Sequence, residues 1–262
     1  MSKDAKLQRY YAEERKRIIM EQLKQHSSVE VRALSTLLHT SAVTIREDLS
    51  RLEQEGKLMR THGGAVINDQ KAFEYIFPEE VTNLSKKQAI ARYALGLISD
   101  GNTIVLDTGS TTNELARLLG AKRNLTVVLY DIHIAELLER TCEANIILLG
   151  GSLRRGLHST VGPIATGTMA GLRVDKAFIT TGAINPDGLA TSDIYEAEIK
   201  AAAMRSAAEV YVLADSDKFD RVAFNHFAGF EGIRALITDD GLTDGKCEMY
   251  TKLGLGIVRI NE

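Results

Sequence analysis

Two groups of residues in this chain have types and spacings suited to holding a base edge or an anion. The first lies in SAVTIREDLSRLEQEG, residues 41–56, and in the RTHGGA at 60–65: Ser41, Thr44, Arg46, Glu47, Arg51, Arg60 and His62. Arginine presents a planar fork that matches guanine O6 and N7 together, and glutamate can accept from a cytosine amine. Hydroxyls at a helix start, with the helix N-terminus behind them, hold phosphate. Arg60 and His62 border a glycine pair, where a small turn lets the backbone come close to a phosphate chain or a minor groove. A plainer account of the same helix is a solvated face on which Glu47 and Arg51 form an i,i+4 ion pair. Asp48, about 60° from the core-facing direction on a helical wheel, is expected to restrain Arg51.

The second group centres on LDTGSTT, where Asp107, Gly109, Ser110, Thr111 and Thr112 sit between an apolar run and a helical one. Glycine allows close backbone approach there, and hydroxyls with free N–H groups at a helix start can take an anion, phosphate above all. An ordinary capped strand-to-helix turn is the competing account. Other run ends supply Gly150, Gly151 and Arg154 in LLGGSLRRG, Gly182 in TTGAINPDG and Lys218 in LADSDKFD. Glu196 is either a ligand contact or a helix N-terminal charge. Lys86 and Lys87 read as ordinary solvated charges. Cys142 and Cys247 lack metal-ligand spacing and are expected to be reduced thiols, so neither metal nor cofactor is expected.

The elements that position the first group follow a helical period. EERKRIIMEQLKQ aligns Ile18, Ile19 and Leu23, and VEVRALSTLL aligns Val31, Leu34, Leu37 and Leu38, so each is expected to be a helix. In the third, Ser41 is a good N-cap, Ile45, Leu49 and Leu52 share a narrow arc, and Gly56 is a stop. Val43, Glu47, Ser50, Arg51 and Gln54 then face outward, flanked by Thr44 and Arg46. KLMRTHGGAVI alternates about Gly63-Gly64 like a small hairpin. Helices, a tight turn, a third helix with a polar face and a glycine-tipped hairpin describe a winged helix-turn-helix over residues 1–66.

Residues 67–84, around Pro78, read as a linker, and residues 85–262 as a larger unit. There NTIVLD, LTVVLY, ANIILLGG, DKAFITTG, AEVYVLAD, IRALITDD and LGIVRI alternate with helical segments, which indicates a Rossmann-like α/β unit with a mainly parallel sheet covered on both faces. Ligands of such sheets bind beyond the carboxyl ends of the strands, where the second group would gather.

Charge is unevenly divided. The net charge is −3, but residues 1–65 carry 12 Lys+Arg against 9 Asp+Glu, and the remainder carries 20 against 26. The basic part is the part with the candidate reading helix. No apolar run approaches the length of a membrane span and no secretory leader is evident, so a cytoplasmic protein with no membrane partner is expected.

TSAVTIREDLSRLEQEGKLMRTHGGAV resembles the N-terminal signature of the DeoR family of bacterial transcriptional regulators. LDTGSTT, LLGG, GLATSDIYEAEIKAAAM and DSDKF resemble that family's effector domain, which is similar in fold to ribose 5-phosphate isomerase. The resemblance implies a regulator, expected to be a repressor of a sugar-catabolic operon, that binds double-stranded operator DNA and answers to a phosphorylated sugar. It implies that Ser41, Thr44, Arg46 and Arg51 lie at or near DNA. Where the family has Thr-Asn after its second sensor strand, this chain has Leu129, Tyr130 and Asp131, a change expected to alter which sugar is accepted. Paired reading heads are expected in a homodimer or homotetramer. The alternative is an isomerase-like enzyme with an accessory helical domain. The related isomerases place acids after the Gly-Ala that corresponds to Gly182-Ala183, and Ile184-Asn185 stand there in this chain, so no enzyme is expected.

Overall fold

The computed structural model describes residues 11–26, 28–54, 58–61, 63–67, 82–154 and 157–261. Two compact units divide the chain, residues 1–74 and 75–262. Most of the expected linker, together with Gly56 and His62, lies outside the described residues.

In the first unit, helix α1 (Ala12–His26) leads through strand β1 (Ser28–Glu30) to α2 (Val31–Leu37) and α3 (Ala42–Gln54), and β2 (Leu58–Arg60) and β3 (Gly64–Ile67) follow. Ile19, Leu23, Leu34, Leu38, Ile45, Leu49 and Leu52 form the core at the helical spacing of the sequence. VEVRALSTLL is not helical throughout. Val29 and Glu30 pair with Ala65 and Gly64 in an antiparallel sheet of order β1-β3-β2, and the helix starts only at Val31. β-branched Val29 finds a ladder partner there, and the Val31 N–H donates to Gly63 O at 2.9 Å. Position 64 needs glycine, because a Cβ would stand 1.8 Å from Val29 O.

The second unit is built on seven parallel strands: β4 (Thr103–Leu106), β5 (Thr126–Leu129), β6 (Asn145–Leu148), β9 (Val174–Thr180), β12 (Ala207–Leu213), β14 (Ile233–Asp239) and β15 (Ile257–Ile260). These coincide with the seven apolar runs. Their order is β15-β14-β12-β9-β4-β5-β6, so the chain winds one way from β4 and the other way from β9. The point where the direction reverses lies between those two strands. Helices α4 (Leu84–Gly96), α5 (Ser110–Leu118) and α6 (Ile132–Thr141) cover one apolar face, and α7 (Pro163–Ala170) and α8 (Ile194–Ser206) cover the other.

Short strands are added at the carboxyl ends. β7 (Ser152–Arg154) and β8 (Ser159–Val161) make a hairpin, and β10 (Ala183–Asn185), β11 (Gly188–Thr191) and β13 (Asn225–Ala228) make a three-stranded sheet. Helix α9 (Asp244–Lys252) precedes the last strand. Among the described residues no helix is long and apolar enough to cross a membrane.

Candidate functional sites

Helix α3 is started by Ser41, whose Oγ accepts from the Thr44 N–H at 3.1 Å and lies 2.9 Å from the Thr44 hydroxyl. This is the N-cap geometry expected of serine. The turn before it is closed by the Ser35 hydroxyl, which donates to Thr40 O at 2.6 Å. Val43, Arg46, Glu47, Ser50, Arg51, Gln54 and Arg60 line one open depression on the outer face of α3. Arg46, Glu47 and Arg51 are exposed, and among the described residues none makes an ion pair. The i,i+4 pair of Glu47 with Arg51 is therefore absent, and the groove presents unpaired charges. Arg60 is fixed at its rim, its guanidinium donating to Ser50 Oγ at 2.8 Å and its N–H to Glu53 at 3.0 Å.

Asp48 does not restrain Arg51. It is 2% exposed and turns inward, accepting two hydrogen bonds from Arg15 of α1 at 2.7 and 3.1 Å. The Asp48 hydrogen bond holds the Arg15 guanidinium above its usual pKa against the opposing effect of burial. Sequence reasoning missed this strap, because its halves are 33 residues apart. Exposed Val43, at 61%, adds an apolar contact at the head of the groove.

In the second unit, Asp107, Asp131, Gly151, Gly182 and Lys218 all come at or just beyond the carboxyl ends of parallel strands. Gly109 caps α5 at φ 146°, and a Cβ would stand 3.2 Å from Thr180 Oγ1, so only glycine suits the turn. The first N–H groups of α5 receive no side-chain cap. Among the described residues the Ser110 and Thr111 hydroxyls make no hydrogen bond, and the buried Asn113 Oδ1 has no partner. Thr112 is turned inward, donating to Gly109 O at 3.0 Å.

Asp107 and Asp131 hold this loop in place and have no exposed surface. Asp107 accepts from the N–H of Thr108 at 2.9 Å, from the N–H and hydroxyl of Thr180 at 2.6 and 2.7 Å, and from Tyr130 and Lys200. Burial, reinforced by Asp107, pushes the Tyr130 phenol well above its ordinary pKa, so it stays a donor. Asp131 caps α6 through Ile134 and accepts from the Thr108 hydroxyl at 2.6 Å. Burial raises its pKa against those hydrogen bonds. The Leu129-Tyr130-Asp131 departure therefore builds the frame of the loop.

Lys200 was missed in the sequence. Fully enclosed, it pairs with Asp107 and with Glu196 at 3.1 Å and donates to Thr180 O at 3.1 Å. Burial alone would lower its pKa, but Asp107 and Glu196 outweigh burial and raise it. The signal available was an i,i+4 Glu-Lys pair in an alanine-rich helix, where a lysine must either reach solvent or find acids. Glu196 is further held by the Thr191 hydroxyl at 2.9 Å. Asp193 caps α8 through the Glu196 N–H and also pairs with Arg154 at 3.0 Å, joining the β7–β8 hairpin to that helix.

The two lysines after the linker differ. Lys86 pairs with buried Asp239 at 3.0 Å, and that carboxylate and its neighbours hold the ammonium above its ordinary pKa in spite of burial. Lys87 is 7% exposed and, among the described residues, has no ion pair and no side-chain hydrogen bond. Burial lowers its pKa, only partly offset by Asp215. It interacts electrostatically with Lys218, itself half-buried with no ion pair among the described residues, and with Glu114 of α5. The expectation of solvated charges fails at both: Lys86 is drawn into an ion pair with Asp239, and Lys87 is buried where α4 packs against α5, β12 and β14.

The model of the DeoR-like helix-turn-helix domain matches residues 15–71, and that of the DeoR C terminal sensor domain matches residues 82–240. The chain belongs to the DeoR family. Similar relatives include the regulator FruR of Bacillus subtilis, 34% identical over 87% of this chain and 90% of that one. A putative aga operon transcriptional repressor of Escherichia coli O157:H7 is 30% identical over 95% and 94%. The regulator GlpR of Haloferax volcanii is 36% identical over 94% and 96%. Ribose 5-phosphate isomerase A of Methanocaldococcus jannaschii aligns with 53% of this chain and 55% of its own at 21% identity and a TM-score of 0.39. This DeoR-family chain is a DNA-binding transcriptional regulator with a C-terminal sensor unit, and its relatives are named regulators and repressors, not enzymes.

Proposed function

We propose that this regulator represses a sugar-catabolic operon and that a phosphorylated sugar, bound at the carboxyl ends of β4, β9 and β12, controls its hold on the operator. The observation that carries the ligand class is a set of polar groups around the start of α5 that, among the described residues, make no ion pair and no side-chain hydrogen bond: Lys87, Lys218, the Ser110 and Thr111 hydroxyls and the uncapped N–H groups. Buried cations and helix N-termini left in this state are complementary to a phosphate. A few side chains away, the enclosed cluster sets one ammonium, Lys200, against two carboxylates, Asp107 and Glu196. That imbalance repels an anion and favours hydroxyl donors, so the phosphate lies toward Lys87 and Lys218 and the sugar hydroxyls toward Glu196. Gly151, Arg154 and Gly182 border the hydroxyl end, with Arg154 held by Asp193.

In the first unit, α3 enters the major groove with Arg46 and Arg51 toward base edges, Glu47 toward a cytosine amine and Val43 toward a thymine methyl. The Ser41 and Thr44 hydroxyls and Arg60 face phosphates. One short helix gives limited affinity, so heads act in pairs in a homodimer or homotetramer across two half-sites.

The test is a thermal-shift screen of sugar phosphates beside the same sugars without phosphate, followed by operator titration with and without the best ligand. Stabilisation confined to phosphorylated ligands, with a change in operator affinity of roughly 5- to 150-fold, is the expected result. Equal stabilisation by free sugars would remove the phosphate reading, and a tight ligand that leaves operator affinity unchanged would remove the switch.

A further inference from the structure

Four large apolar side chains project from one end of the sheet β10-β11-β13. Strand β11 ends at Thr191, paired with Asn225 at the start of β13, and the Asn225 amide donates to Ser192 O at 2.9 Å. Ile194 and Tyr195 follow that junction and are 54% and 49% exposed, while Val222 and Phe224 precede it and are 86% and 90% exposed. The loop that carries the last two is anchored. Asp220 bonds the Tyr250 hydroxyl at 2.8 Å and pairs with Lys246, and the Arg221 N–H donates to Ile184 O at 3.3 Å. A cluster of large apolar side chains held in water by an anchored loop marks an interaction site.

We infer that this end of the small sheet is a twofold interface between sensor units of two copies of the chain. The inference rests on the reading of the protein as a paired DNA-binding regulator and gives that pairing its surface. Large side chains about half to nine-tenths exposed amount together to roughly a few hundred Å² of apolar surface, on the scale of the largest patch an ordinary monomer shows. With a polar rim of similar extent this approaches the roughly 800 Å² per partner of a stable interface. The rim is self-complementary. Arg221 beside Val222, and Glu198 one turn beyond Ile194 on α8, are both exposed and make no ion pair among the described residues. A twofold axis sets each residue of a patch against the other residues of the same patch on the second copy, which calls for both charges on one surface. Tyr195 also adjoins Glu196, so the interface and the hydroxyl end of the effector site share the first turn of α8.

Sedimentation equilibrium of the full chain, its Phe224→Asp and Val222→Asp variants and the control Ile164→Asp on α7, 69% exposed, tests this. The unaltered chain and the control should associate at micromolar concentration. Each loop variant should weaken that association about 30-fold or more, the loss expected of an aromatic or apolar anchor at an interface, with circular dichroism unchanged. A monomeric parent chain, loop variants that associate as tightly as the parent, or dissociation by Ile164→Asp alone would overturn the inference. Anisotropy with a random-sequence duplex at low salt separates this from failure of the functional reading. Loss of DNA binding in every protein would sink the regulator, whereas retained binding by dissociated loop variants supports the interface and leaves the regulator intact.

Discussion

Replacing Lys87 with methionine is expected to stabilise the protein and weaken ligand binding at once. The ammonium is 7% exposed and makes no ion pair among the described residues, and burial holds its pKa below the ordinary 10.5 with only partial relief from Asp215. Methionine keeps an unbranched stem of similar reach and removes a charge whose desolvation on folding is only partly compensated. Relief of an unpaired buried polar group is worth about 1–3 kcal/mol. A unit of this size shifts by roughly 2–4 °C per kcal/mol, so the ligand-free variant should melt about 2–12 °C higher. In the proposed site the same ammonium would make a charge-assisted hydrogen bond to the phosphate worth about 1.5–3 kcal/mol, so the variant's Kd should rise roughly 10- to 150-fold. Differential scanning calorimetry reads the first quantity and isothermal titration the second. A variant that melts lower than its parent without ligand, or binds the sugar phosphate with unchanged Kd, would refute the reasoning.

Further outcomes follow from the same geometry. Because burial lowers the Lys87 pKa and a bound phosphate raises it, binding takes up a proton; affinity is full below the lowered pKa and falls as pH climbs through it, short of 10.5. Titration at increasing pH should show this decline in the parent and lose it in Lys87→Met, and a decline kept by the variant would assign it to another group. Lys200→Met should do the opposite of Lys87→Met and lower stability by about 3–5 kcal/mol, because it leaves Asp107 and Glu196 enclosed together without their cation; an unchanged melt would count against the network. Arg46→Ala should weaken operator binding roughly 5- to 150-fold more than binding to random duplex, and equal losses on both would confine Arg46 to phosphate. Asp48→Ala removes both hydrogen bonds to Arg15 and should destabilise the first unit by about 3 kcal/mol, with DNA of any sequence bound less well; an unaltered melt of that unit would show the strap to be dispensable.

What was legible in the sequence was what depends on period and on runs. Ile45, Leu49 and Leu52 fixed the inner face of α3, so the outer residues Val43, Glu47, Ser50, Arg51 and Gln54 followed from geometry alone. Seven apolar runs became the seven strands, since a strand buried on both faces has to be apolar throughout. Short strands were not legible. β1 is three residues long and owes its state to pairing with Ala65, far along the chain. Partners of buried charges were equally hidden: Lys200 and Asp107 are 93 residues apart, and only the closed fold decides that Lys86 meets Asp239 while Lys87 makes no ion pair among the described residues. Candidate ligand groups were found by their place at strand ends, but which of them frame the loop and which stay unsatisfied depended on three-dimensional neighbours.

Lys200 reaches across the junction of the two halves of the sheet, touching Asp107 beyond β4, Thr180 at the end of β9 and Glu196 on α8. It acts as a rivet. Prising the halves apart would break both of its buried ion pairs at once, a cost that favours keeping the centre shut. Motion on ligand arrival is left to the periphery, where the β7–β8 hairpin is tethered to α8 through Arg154 and Asp193, and a sugar competing for that arginine would set it loose.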